Sequence, residues 1–314
     1  MKVDWIYYLK EFYQTNMPIG EILSLGSAIT WGISVSLFKI IGNTISPYVL
    51  NPLKNTIGTI LFIITCLMFT DSSVINKLSI SESLILALSG VIGITIADVL
   101  FLRSLNILGT SRSAILNTIY SPVVIILAYF ILGETLTLIH IFGGLLILGS
   151  IFYLSINPEK NNPKNINQGL VLGLIAYTLM AVGIIIIKPI LTNFSHSIDA
   201  QLWIILYRLI PGTLLSYITL YVMQTKNQII FQLSNRKVWP IILIGSFLGT
   251  YVGFAMWIVG MAKTSASIAS ILNQTSTIFI AFFGWMILKE SFSKKMMVSF
   301  LIAIIGAFII IINP

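Results

Sequence analysis

An all-helical, polytopic membrane fold, with about ten transmembrane helices in two inverted five-helix repeats, is predicted by three observations. The 314 residues are 57% hydrophobic and only 9% charged, with a mean hydropathy of +0.97. Apolar runs long enough to cross a bilayer recur along the whole chain. Polar landmarks of the first half return in the second at a nearly constant spacing. Soluble domains carry about 25% charged residues, so a surface this poor in charge must face something other than water. Disorder requires the opposite composition. A disulfide scaffold is excluded by the single cysteine, Cys66. The formal charge of +8 comes from basic residues scattered between apolar runs, which suits lipid headgroups and orientation signals, with no nucleic-acid partner. A multi-pass protein of the cell membrane follows.

A helix needs about 20 residues to cross about 30 Å of hydrocarbon. Ten spans are read at 19–41, 48–70, 83–106, 110–132, 136–156, 168–191, 200–224, 238–261, 265–288 and 293–312. They leave no room for a soluble catalytic domain. The runs are too long, and lack the two-residue alternation, for barrel strands. Residues 1–18 mix Asp4 and Glu11 with Trp5, Leu9 and Phe12, either an amphipathic segment in the interface or a plain tail. The first repeat occupies 19–158 and the second 168–314.

The repeat rests on polar matches, because Ile and Leu identities arise easily by chance. Leu116-Asn117, Glu134 and Asn157-Pro158 recur 156 residues on as Leu272-Asn273, Glu290 and Asn313-Pro314. Gly20 and Lys39 match Gly169 and Lys188 at a spacing of 149. Five spans per copy is an odd number, so the copies must lie in opposite orientations across the membrane. Such a pair suits alternating access around one central site.

The residues Ala28-Ile-Thr-Trp31-Gly32, Lys39, Ser46-Pro47, Asn117, Pro122 and Gly133-Glu134, then Arg208, Ala266-Ser267, Asn273, Lys289-Glu290 and Gly306, carry a resemblance. The chain resembles the EamA-type branch of the drug/metabolite transporter superfamily over nearly its whole length. The resemblance implies ten helices, a central cavity and secondary transport of small metabolites. Three positions depart from it: Ile278 stands opposite Pro122, Lys54 takes the place of the usual arginine, and Met180-Ala181 replace the second Trp-Gly pair.

Charged groups inside hydrocarbon cost about 2.5–3.5 kcal/mol each even on lenient scales, so those present are informative. Arg103 is close enough to a span end to snorkel. Lys54 and Asp98 lie about 9 and 12 Å below the same face on consecutive helices, within reach of an ion pair. Two readings of the pair stand: a structural clamp, or a proton-coupling carboxylate tuned by Lys54. Arg208 is the counterpart of Lys54, but Phe254 replaces Asp98. An arginine without an evident carboxylate invites an anionic or zwitterionic solute, although backbone carbonyls or a lipid phosphate could also take it.

Ser113, Asn117, Tyr120 and Ser121 share one helical face, Asn273, Ser276 and Thr277 repeat it, and Ser27, Trp31 and Ser34 form a third stripe. Such stripes either bond helices together or line a cavity. A meeting of Asn117 with Asn273 at the pseudo-axis is expected to contact solute. Trp31 and Trp257 complete the expected pathway. Glu134 and Glu290 sit in tight turns and are expected to cap the helices that follow them. Gly90, Gly93 and Gly143-Gly144 permit close helix contact. Pro52, Pro122, Pro189 and Pro211 are expected to kink their helices.

No phosphate-binding loop is present, and two histidines with one cysteine suggest no metal, cofactor or enzyme chemistry. The Lys and Arg count over alternate linkers puts both termini outside the cell, whereas the resemblance implies the cytoplasm. The expected partners are a small-molecule solute, the lipid bilayer and a coupling proton, in a monomer or homodimer. Against a secondary transporter stand a passive channel, which needs a continuous polar path, and a lipid-linked carrier or flippase, which needs a lateral opening.

Overall fold

The structure is a computed structural model describing residues 18–42, 44–155, 165–288 and 294–313. Residues 1–17 of the proposed amphipathic segment 1–18 and the turn bearing Glu290 lie outside these. In order, the helices are α1 (Ile19–Ile41), α2 (Pro47–Phe69), α3 (Ile80–Gly90), α4 (Asp98–Asn117), α5 (Tyr120–Leu132), α6 (Leu138–Ser155), α7 (Ile166–Ile185) and α8 (Lys188–Asn193). There follow α9 (Ile198–Met223), α10 (Lys226–Ser234), α11 (Val238–Ser246), α12 (Phe254–Lys263), α13 (Ala266–Asn273), α14 (Ser276–Leu288) and α15 (Lys294–Ile311). Eight helical stretches of the described residues are long and apolar enough to span a bilayer, and α5 and α6 are shorter apolar helices. Apolar side chains such as Phe69, Phe130, Leu138 and Phe231 stay more than 70% exposed. In water that would be a liability, but against lipid it costs nothing.

Local chemistry places the helix starts. Ser46 accepts from the Val49 N–H ahead of Pro47, whose fixed φ suits the first turn. Ser79 with Glu82, and Thr225 with Gln228, form capping boxes. Gly133 ends α5 at φ 68°, a left-handed conformation that glycine adopts without strain.

The two halves share irregularities as well as helices. Stretches Val91–Ala97 and Phe247–Gly253 are π-helical, and they join α3 to α4 and α11 to α12. They stand 156 residues apart, as do α5 and α14, and α6 and α15. A π stretch inserts an extra residue and frees backbone carbonyls, and the same device at the same place in both copies marks the repeat more sharply than side-chain identity does. Packing is reciprocal: α2 lies against α9 and α6 against α15, while α1 packs on α12 to α14 as α7 packs on α4 and α5.

Two expectations need correction. No non-helical linker separates the third and fourth spans near residue 109, where helical backbone continues through Asn117. Ser104 and Leu116 nonetheless both abut Gly173, so the chain reverses within that stretch. The stripe from Ser113 to Ser121 does not follow one helix, because turns at 118–119, and at 274–275 in the second copy, interrupt it. Pro52 and Pro211 sit inside continuous α2 and α9, and Pro189 is the second residue of α8.

Glycine sets the closest crossings. A Cβ on Gly90 would lie 2.0 Å from the Arg208 carbonyl oxygen, and one on Gly306 would lie 2.7 Å from that of Gly143. Gly90→Ala should therefore cost about 1–3 kcal/mol, as overpacking typically does. Gly149→Ala, with nothing within 4 Å, should be neutral or stabilising. Thermal unfolding of both variants in detergent checks the contrast, and equal midpoints would sink it.

Candidate functional site

The π stretches position the centre. Asn51 on α2 donates to the Ile94 carbonyl at 3.0 Å, a carbonyl in the first π stretch, and this ties α2 to the third span. One turn on, Lys54 Nζ meets Asp98 Oδ2 at 2.6 Å and donates to Asn55 Oδ1 at 2.9 Å. The side chains are 5% and 15% exposed, so the pair is shielded but not sealed. Pairing compensates both charges where water cannot.

The second copy does otherwise. Arg208 on α9 is 4% exposed. Its Nε donates to Ser89 Oγ at 3.1 Å, and its guanidinium carbon lies 5.3 Å from the centre of the Phe254 ring. Ser89 Oγ in turn donates to the Gly183 carbonyl. Nη1 of Arg208 is buried without a hydrogen-bond partner. The position held by a carboxylate in the first copy thus holds a ring face in the second, giving a cation–π contact and leaving one end of the guanidinium unmatched.

Both centres line one cavity of about 340 Å³. Trp31, Lys54, Asp98, Asn117, Tyr120, Arg208, Trp257, Asn273 and Thr277 all border it, as do Asn55, Gln274 and Trp285. Asn55 and Gln274 escaped the sequence reading although they neighbour Lys54 and Asn273; a polar residue inside an apolar span was the available signal. Ser121 is fully buried and donates to Ser270 Oγ at 3.2 Å, joining α5 to α13 away from the lining. The two asparagines do not pair with each other. Asn117 donates to Thr277 Oγ1, and Asn273 to Ser27 Oγ, each at 2.9 Å. Gln274 donates to the Asn117 carbonyl at 2.8 Å, one of the carbonyls left over where the helix breaks. The stripes therefore serve as inter-repeat bonds and as wall together. Arg103 lies 5.9 Å from the Tyr48 ring centre, near the end of its span.

The lining extends to Lys39, Leu105 and Met296, close to the ends of their spans on the face opposite the start of α1. On the face where α1 starts, a set of hydrogen bonds joins the two repeats. Glu134 does not cap the helix that follows it. Its carboxylate accepts from the Ala266 and Ser267 N–H groups at 2.8 and 2.9 Å and from Ser267 Oγ at 2.9 Å, capping α13 of the other repeat. The following helix lies past a five-residue connection, whereas the exposed N–H groups of α13 lie directly opposite. Lys188 Nζ donates to the Met261 and Thr264 carbonyls at 2.6 and 2.7 Å, and Thr264 donates to Glu21.

Eight long and two shorter apolar helices around a cavity bordered by both halves define a multi-pass integral membrane protein with room for a small solute. The family model of the EamA-like transporter family matches residues 18–156 and 167–312; the chain belongs to this family, which lies within the drug/metabolite transporter superfamily, and is a membrane transporter of small solutes. An uncharacterized transporter of Methanothermobacter thermautotrophicus is 25% identical over 94% of this chain and 86% of its own length. Another, of Archaeoglobus fulgidus, is 22% identical over 93% of this chain and 98% of its own. A solved crystal structure superposes with a TM-score of 0.75 at 12% identity, covering 94% of this chain and 96% of that one, a likeness of fold alone.

Proposed function

We propose that this protein is a secondary active transporter that moves a small anionic or zwitterionic organic solute by alternating access, with Arg208 as its anchor. The carrying observation is that Arg208, whose buried Nη1 has no hydrogen-bond partner, is among the residues lining a cavity that both repeats build. A desolvated guanidinium with an unmatched donor loses about 1–3 kcal/mol relative to a satisfied one, and an arriving carboxylate recovers it. Asp98, the only carboxylate of the described lining, receives the coupling proton, and its protonation releases Lys54. The cavity reaches toward one face while Glu134, Lys188 and Glu21 join the repeats at the other. An arrangement closed on one side only favours a carrier over a channel.

Purified protein warmed with a panel of metabolites should unfold later with its solute, because ligands that bind only the folded state stabilise it by mass action. In proteoliposomes that solute should accumulate, and solute on the far side should accelerate its uptake. Linear, unsaturable flux would instead make the protein a channel. Asp98→Asn should uncouple uptake from an imposed pH gradient; gradient dependence equal to the parent's would remove Asp98 from coupling.

A further inference from the structure

The repeat sets up a comparison within one chain. Lys54 and Arg208 are counterparts, and so are Asp98 and Phe254. In the first copy the cation has its carboxylate at 2.6 Å. In the second, the cation has a ring face at 5.3 Å, one serine, and a guanidinium nitrogen without a partner. Among the described lining residues, the buried cations Lys54 and Arg208 stand against Asp98 alone. That single carboxylate is already held by Lys54. A positively charged ligand group would find no free carboxylate and an excess of positive charge, which a low-dielectric wall screens poorly. The cavity wall also includes the aromatic side chains of Trp31, Tyr120 and Trp257, a surface for an apolar or planar body.

We infer that the solute is an organic monoanion with an apolar or aromatic body and no ammonium group, and that its carboxylate gives Arg208 the counter-charge that Asp98 gives Lys54. This rests on Arg208 as the anchor proposed above, and narrows the solute from anions and zwitterions to anions. Phe254 leaves the second carboxylate position vacant, so the ligand completes the symmetry of the site.

The test uses the full-length purified chain and three acids, benzoate, 3-phenylpropionate and indole-3-acetate, each beside its primary amide and its amine analogue. Phenylalanine and tryptophan serve as zwitterions. At least one acid should raise the unfolding temperature saturably, with an apparent Kd at least tenfold below those of its amide, amine and zwitterion. Phe254→Asp places a carboxylate within the chain beside Arg208, and should abolish the response to acids while the protein stays folded. Arg208→Lys should weaken the response without erasing it, and Arg208→Gln should erase it.

No response to any acid, or a zwitterion or amine binding as tightly as the acids, would overturn the inference. So would a Phe254→Asp protein that still responds in full. Should Phe254→Asp fail to fold, the graded loss from arginine through lysine to glutamine decides alone. Saturable, trans-accelerated uptake of phenylalanine in proteoliposomes would leave the carrier reading standing and remove only this narrowing. Binding of acids without any transport would do the reverse.

Discussion

Asp98→Ala should destabilise the protein by about 3–5 kcal/mol, the usual result of removing one partner from a buried ion pair. Lys54 is 4% exposed, and without Asp98 its ammonium would keep only Asn55 Oδ1, at 2.9 Å. Most of the loss is the penalty of an uncompensated charge rather than the worth of the pair. Asp98→Asn should therefore cost less, since its amide oxygen still accepts from Nζ. The double variant Lys54→Met with Asp98→Ala should recover much of what the single one loses, because it removes the orphaned charge. Unfolding in mixed micelles measures all three. Additive losses in the double variant would mean the two side chains do not share a desolvated environment.

Glu134→Ala should be the next most damaging change, at about 3 kcal/mol: charge-assisted hydrogen bonds contribute about 1.5–3 kcal/mol each, but the three made by this half-buried carboxylate do not add, because water replaces part of them. The effect should reach function as well as stability, because Glu134 joins the turn after α5 to the start of α13 across the two repeats. Breaking that tie frees the closed face. In a Cys66→Ser background, Ser270→Cys on α13 is fully buried at the parent's Ser270. It should be alkylated several-fold faster by a membrane-impermeant thiol reagent once Glu134 is alanine. Glu134→Gln keeps an acceptor but loses the charge, and should fall between. Labelling rates equal in all three would show that Glu134 caps a helix without holding the face shut.

The number and placement of the spans were legible because the bilayer leaves no alternative. A backbone in hydrocarbon must satisfy its own hydrogen bonds, so an apolar run of the right length is a helix wherever it falls. The first helix begins and ends at Ile19 and Ile41 as read from hydropathy. The Lys54–Asp98 pair was legible for a related reason: two costly charges at similar depth on consecutive helices have few other ways to be compensated.

The partners across repeats were not legible. Nothing near Glu134 points to Ala266 and Ser267, more than 130 residues away. The expectation of a local cap followed the nearest helix start in sequence rather than in space. Asn117 and Asn273 were expected to meet on the axis, yet each found a hydroxyl because the helices break beside them and turn their faces. The π stretches left no periodic trace, since one extra residue within an apolar run keeps the run apolar.

Hydropathy and charge are properties of a segment, and lipid imposes them one helix at a time; from them the sequence alone determined a ten-pass bundle of two related halves carrying buried ions. Register and rotation between helices depend on where backbones can approach, at Gly90 against Arg208 and Gly143 against Gly306, and on which carbonyls the π stretches release. Those are contacts between distant segments with no energetic signature in either segment taken by itself. Only the tertiary structure could therefore decide that Glu134 caps α13 of the other repeat and that Asn117 and Asn273 each bond a hydroxyl across the repeats.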